Sequence, residues 1–356
     1  MKRTLLLGIF FGVITVSVYA QPAGYYDAAD GLTEVELQQA LHDIIDNHTV
    51  KSYTFLWTAF RTTDKKANGF VWDMYSDVPG GDPPYDYVFG YESDGGDQCG
   101  NYSGEGSCYN REHSFPKSWF GGEIPPMTSD LFHLYPTDGS VNGMRGNLPF
   151  GETDDNTNVS LNGCKVGTSS VEGYTGTVFE PIDEYKGDFA RTYFYMATRY
   201  YGDEEDGSWP GSGMVDGSQL KPWAETMMLK WHSDDPVSTK EVDRNNAVYA
   251  YQNNRNPYID HPEFVALLYG GEIIALQEYL NDIVTIYPNP GKGDFFISNL
   301  GEEADIQIFD MSGRMISFER EETGEQTQIS SSMEPGIYGL RISIDSEIIS
   351  RNLIVY

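Results

Sequence analysis

The sequence predicts an α+β chain that ends in a small all-β sandwich, and three patterns carry that prediction. Between residues 33 and 253, apolar residues recur at helical spacing in three separate stretches. Between residues 109 and 147, one short strand-like segment is followed by a second, which turns directly into a helix start. Beyond residue 284 the pattern switches to short runs of alternating apolar and polar residues punctuated by turns.

The first helix follows Thr33-Glu34-Val35-Glu36, which reads as a capping box, and Leu37, Leu41, Ile44 and Ile45 form its apolar stripe. A second helix starts after Gly187-Asp188, with Phe189, Tyr193, Met196, Ala197 and Tyr200 on its buried face. A third runs from about Lys240 to Asn253 and is stopped by Asn256-Pro257. Gly-, Asp- and Tyr-rich stretches from Asp77 to Gly106 and from Gly202 to Gly217 read as loops. At the C-terminus, Ile286-Tyr287-Pro288-Asn289-Pro290 is extended by its prolines. Asp305–Phe309, Met315–Phe318, Pro335–Ile342 and Ser350–Tyr356 then alternate as strands, with a turn at Met311-Ser312-Gly313-Arg314.

Met1-Lys2-Arg3, the apolar run Leu5 to Val18 and Val18-Tyr19-Ala20 have the layout of a signal peptide cut after Ala20. The expected organisation is therefore a signal peptide over 1–20, a main domain over 21–275, a linker over 276–283 and a sandwich over 284–356. No other segment is apolar and long enough to span a bilayer.

The chain has 356 residues, with 23 Lys and Arg against 54 Asp and Glu, a formal net charge of −31. Such a surface repels polyanions, so action on nucleic acid requires a local site in which a metal cation bridges the two. Three cysteines are too few for a disulfide-dense scaffold. Cys99 and Cys108 flank a Gly-rich loop and are expected to pair, leaving Cys164 over. The absence of a Walker loop, a GxSxG elbow and a CxxC motif argues against nucleotide hydrolysis, α/β-hydrolase chemistry and zinc-finger binding.

Chemistry concentrates in two segments, Tyr109-Asn110-Arg111-Glu112-His113-Ser114-Phe115-Pro116 and the stretch from Asp130 to Asn147 that contains DLFHLYPTDGSVNGMRGN. A neutral imidazole can deprotonate water near neutral pH. A carboxylate and an amide oxygen suit a hard cation such as Mg²⁺, and an arginine suits phosphate. On a strand, Glu112 and His113 point to opposite faces. Asp138 is placed to cap a helix on which Asn142 and Arg145 share one face.

Through REHSFP, DLFHLYPTDGSVNGMRGNLPFGE, GDFARTYFYMATRYYGD and NRNPYIDHPEFV, most of residues 30–265 resembles the bacterial endonuclease I family of the ββα-metal (His-Me finger) group. The resemblance implies a ββα-metal core with surrounding helices. It implies a secreted, metal-dependent, sequence-nonspecific endonuclease that cuts DNA, with RNA as a further substrate, to 5′-phosphate ends. It assigns His113 as general base and Glu112 and Asn142 as ligands of Mg²⁺, with Mn²⁺ or Ca²⁺ as alternatives. Arg145 matches a family arginine and is read as a phosphate contact. The family's loop arginine has no counterpart between Ser114 and Ser129, where Lys117 is the only basic residue.

The last seventy or so residues, through YPNP, the DMSGR turn and GIYGLRI, resemble the C-terminal sorting domain of type IX secretion substrates. That resemblance implies export by that machinery to the cell surface or medium. Two alternatives use the same residues differently: a surface glycan-binding module and a hydrolase of small phosphodiesters. Simpler roles also exist for single residues. His133 is expected to pack in the core, Asn147 competes with Asn142 as ligand, and Glu112 can serve only to orient His113. Trp57, Trp72, Trp119 and Trp231 are expected to be core residues rather than base-stacking platforms. Arg111, Lys165, Lys186, Arg191, Arg199, Arg244 and Arg255 are each expected on the surface or in ion pairs.

Overall fold

Helix α1 (Glu34–Ile45) forms where the first stripe was read, with Leu37, Leu41 and Ile45 buried. The expected capping box is not made there, because the Thr33 side chain accepts no cap hydrogen bond. A capping box does form at Ser238 and Glu241, ahead of the third expected helix. The structure, a computed structural model, describes residues 21–202, 208–270, 285–298, 304–310, 314–323, 326–344 and 347–356. The expected signal peptide, the linker over 276–283 and the tip of the 311–314 turn lie outside them.

The remaining elements of the first part follow in order. Helix α2 (Leu56–Thr63) precedes a long loop, then come strand β1 (Tyr109–His113), strand β2 (Leu134–Asp138) and helix α3 (Gly139–Arg145). Strands β3 (Lys165–Thr168) and β4 (Thr177–Glu180) form a second antiparallel pair. After helix α4 (Lys186–Arg199), two-residue strands β5 (Val215–Asp216) and β6 (Gln219–Leu220) pair, and helices α5 (Pro222–Asp234), α6 (Thr239–Gln252), α7 (Pro257–Asp260) and α8 (Phe264–Tyr269) complete this part. Every residue of α4 is buried, so it is the central pillar rather than a one-faced helix. Its polar residues survive burial by pairing: Arg191 binds Glu241 and Lys240 binds Asp188 at 2.7 Å. Trp119 and Trp231 are core residues, Trp57 and Trp72 pack half-buried against the same cluster, and Cys164 is free and buried.

The C-terminal part holds two four-stranded antiparallel sheets. One has the order β10 (Met315–Ile316), β9 (Asp305–Phe309), β13 (Gly336–Ile344), β14 (Glu347–Val355). The other has the order β11 (Glu319–Thr323), β12 (Gln326–Ser330), β8 (Asp294–Ser298), β7 (Ile286–Tyr287). Alternate residues Phe295 and Ile297, Ile306 and Ile308, Leu340 and Ile342, and Leu353 and Val355 build its separate core. This is the period-2 logic of a sandwich, one apolar face per sheet turned inward. Among the described residues, no helix is long and apolar enough to cross a membrane.

Candidate active site

Strands β1 and β2 pair antiparallel with Glu112 opposite Tyr135 and Tyr109 opposite Asp138, and α3 starts at the next residue. Asp138 makes that abrupt start possible. Its Oδ1 accepts from Val141 N at 2.8 Å, capping α3. Its Oδ2 accepts from Gly106 N at 2.7 Å and from the Tyr87 hydroxyl at 2.5 Å. The Cys99–Cys108 disulfide closes the loop beside β1, as expected, and Cys99 N donates to Tyr109 O at 3.0 Å.

Two cross-links tie α3 to one face of β1. Residues 110 and 112 share a strand face, and residues 142 and 145 share a helix face. Asn142 donates to Asn110 Oδ1 at 2.7 Å, and Arg145 Nη1 donates to Glu112 Oε1 at 2.8 Å. The expected partners Glu112 and Asn142 are thereby brought to the same face of the same strand. Asn147 is exposed and has no place in this ladder.

Glu112 is 2 % exposed. Its Oε1 also accepts from the Tyr75 hydroxyl at 2.9 Å, while among the described residues no donor reaches Oε2. Burial pushes the Glu112 carboxyl up, and the Arg145 guanidinium and Tyr75 hydroxyl oppose that push. Asn142 uses its NH₂ on Asn110, and among the described residues no donor reaches its amide oxygen. One carboxylate oxygen and one amide oxygen fit a hard divalent cation that keeps most of its own water. Among the described residues, no cluster of three or more His, Cys, Asp or Glu gathers as a full protein cage.

His113 ends β1 and faces the other way. Its Nε2 lies 3.1 Å from Thr128 O. A carbonyl can only accept, so Nε2 carries the proton and Nδ1 keeps its lone pair. The Tyr53 ring stacks on the imidazole at 5.6 Å between centroids. Burial, and next the neighbouring His133, push the His113 pKa well below the usual histidine value, so the ring is neutral at physiological pH. His133 is fully buried with Nε2 2.6 Å from Met127 O, the packed role expected of it.

The placement of Arg145 corrects the expectation of a phosphate contact. It is 0 % exposed. Besides Glu112 it donates to His113 O at 2.9 Å and to Ser114 O at 2.7 Å, and it lies 4.7 Å from the Phe150 ring centroid. A guanidinium so enclosed braces the end of β1 and has no surface to offer a substrate. Lys117 is partly exposed and ion-paired with Glu123, with its ammonium 5.7 Å from the Tyr53 ring.

Comparison with known proteins gives the family. A family model described as Endonuclease I matches residues 33–263. The chain belongs to the endonuclease I family. A second model, described as a secretion system C-terminal sorting domain, matches residues 285–356. The extracellular ribonuclease of Bacillus subtilis (strain 168) is 36% identical over 256 residues, covering 69% of this chain and 78% of the relative. The extracellular ribonuclease of Bacillus amyloliquefaciens is 37% identical over 261 residues, covering 71% and 79%. The extracellular deoxyribonuclease of Aeromonas hydrophila is 26% identical over 138 residues, covering 39% and 51%. The chain is a secreted nuclease, which removes the glycan-binding alternative.

Several residues that shape the endonuclease I site escaped sequence reasoning. Asp130 is fully buried and accepts from Gln252 Nε2 at 2.9 Å, Phe132 N at 3.0 Å, and the Tyr195 and Tyr200 hydroxyls, each at 2.8 Å. This knot fixes the turn whose Met127 and Thr128 carbonyls hold both histidines. Its side-chain donors come from α4, from Tyr200 just after it and from α6, which no local pattern reveals. Asn110 was legible in principle, since its strand parity with Glu112 matches the spacing of Asn142 and Arg145.

Proposed function

We propose that this nuclease is a divalent-cation-dependent, sequence-nonspecific endonuclease with a ββα-metal site. It hydrolyses phosphodiester bonds in RNA and in DNA and leaves 5′-phosphate ends. His113 is the general base, and Glu112 Oε2 and Asn142 Oδ1 hold the cation, Mg²⁺ first among Mg²⁺, Mn²⁺ and Ca²⁺. The observation that carries this reading is the His113 Nε2–Thr128 O hydrogen bond, because it leaves Nδ1 as the basic nitrogen of a neutral ring.

When bound, the cation supplies charge stabilisation on the scissile phosphate and the departing 3′-oxygen. The chain's own residues do the rest. Thr128 O holds the imidazole proton on Nε2, so Nδ1 takes a proton from the attacking water. Tyr53 fixes the ring plane by stacking. Asn110 turns the Asn142 amide oxygen outward, and Tyr75 with Arg145 holds Glu112 so that Oε2 alone is left for the ion. RNA as a substrate draws support from the two Bacillus relatives, both named extracellular ribonuclease. Export through the type IX secretion machinery draws support from the C-terminal sorting domain.

The test is cleavage of supercoiled plasmid and of a structured RNA with Mg²⁺, Mn²⁺ or Ca²⁺, each with and without EDTA, followed by analysis of the cut ends. Cation-restored cleavage with 5′-phosphate ends is expected. Full activity in EDTA, or 3′-phosphate ends, would overturn the reading.

A further inference from the structure

The family resemblance leaves one role unfilled, since the segment between the two motifs holds no arginine. The structure offers a different cation. Residues 111 and 113 share a face of β1, opposite the face that carries the Glu112–Arg145 and Asn110–Asn142 cross-links. The Arg111 guanidinium lies 3.5 Å from the Tyr53 ring centroid and 4.5 Å from that of Trp57, and its Nη1 donates to Tyr53 O at 2.7 Å. The same Tyr53 ring stacks on His113. The two ring distances cap the separation of the guanidinium carbon and the imidazole centre at about 9 Å.

Among the arginines of residues 21–270 that are not exposed, the pairing of Arg111 stands apart. Arg145, Arg191, Arg199, Arg244 and Arg255 each bind a carboxylate. Arg111 binds none among the described residues, although the chain carries 54 acidic side chains. It is half-buried and held rigid between two aromatic faces. An arginine fixed in place, unpaired and next to the general base is prepared for an anion the protein does not supply. Lys117, near the same ring, is already paired with Glu123.

We propose that Arg111 is a substrate-binding residue that contacts the backbone phosphate adjoining the scissile one, on the side of the attacking water. This rests on His113 being the general base. The contact adds one preset positive charge, flanked by aromatic rings, to the local site through which a chain of net charge −31 meets a polyanion.

The experiment is a cycle of enzyme and substrate changes on the full chain. A short single-stranded oligonucleotide with one preferred cut is prepared with a neutral methylphosphonate at each phosphate flanking that cut. Wild type is expected to lose roughly 10- to 100-fold in kcat/KM at one flanking position. Arg111→Met is expected to show a similar loss on the unmodified strand and no further loss from that methylphosphonate, and Arg111→Lys to recover part of the activity. Thermal unfolding identifies a variant that fails to fold. If Arg111→Met does, Arg111→Lys and Arg111→Gln carry the same cycle. Arg111→Met with wild-type kcat/KM, or with the methylphosphonate penalty undiminished, overturns the inference. His113→Ala is run alongside: wild-type cleavage there overturns the assignment of the base, and the proposal with it. A dead His113→Ala beside an unaffected Arg111→Met refutes the Arg111 contact alone.

Discussion

Replacing Arg145 with Met removes the guanidinium and keeps most of the side-chain volume. Glu112 Oε1 then loses its 2.8 Å charged donor and keeps only the Tyr75 hydroxyl, while His113 O loses a 2.9 Å donor. Tyr193 still donates to Ser114 O at 2.7 Å, so that carbonyl stays satisfied. Breaking one side of a buried ion pair costs about 3–5 kcal/mol, because the remaining charge is stranded. For a domain of this size each kcal/mol lowers the melting temperature by about 2–4 °C, so a fall of roughly 6–20 °C is expected. Circular dichroism melts of wild type and Arg145→Met, without added cation, measure it. The phosphate-contact role predicts something different: a nearly unchanged melt, a raised KM and a salt dependence of binding shallower by about one ion. A melt within 2 °C of wild type combined with that shallower slope would refute the bracing role.

Further outcomes are expected at the site and beyond it. His113→Ala should lower kcat by roughly 10²- to 10⁴-fold while calorimetric binding of Mg²⁺ and of uncut oligonucleotide persists. Asn142→Ala should instead raise the cation concentration needed for half-maximal cleavage by at least 10-fold, with kcat at saturating cation reduced less. The Asp130 carboxyl is held down at about 2 despite burial, by His48, His133 and its hydrogen-bond donors. Its unfolded value is about 3.9, so it contributes about 2–3 kcal/mol above pH 4, and that contribution is lost as pH falls toward 2. Urea unfolding at pH 5 and pH 2 should therefore show a smaller acid loss in Asp130→Asn than in wild type. Replacing Cys99 and Cys108 together by Ser opens a short loop, a loss of about 2–3 kcal/mol in the chain-entropy view, measurable as a lower urea midpoint.

Local chemistry made much of this legible. Asp138 capping α3, the burial of Leu37, Leu41 and Ile45, and the alternation of Ile306 with Ile308 follow from turn chemistry and period alone. Thr33 and Glu36 carry the capping-box pattern, yet the box forms at Ser238, because the motif is short and its completion depends on how the chain enters the helix. Arg145 departs from the expected role for a deeper reason. A basic residue on a motif helix suggests substrate, and only the fold reveals that Glu112, His113 O and Ser114 O enclose it. The Asp130 knot was invisible because its donors, Gln252, Tyr195 and Tyr200, lie far along the chain.

The grip of Arg145 on Glu112 also bears on how such chains can drift. In the proposed role Glu112 would answer both to an ion outside the fold and to the guanidinium inside it, so neither position could change alone without leaving a charge stranded in the interior. Selection for a new substrate would have to act elsewhere, on the outward residues around Tyr53, while positions 112 and 145 persist or vanish together.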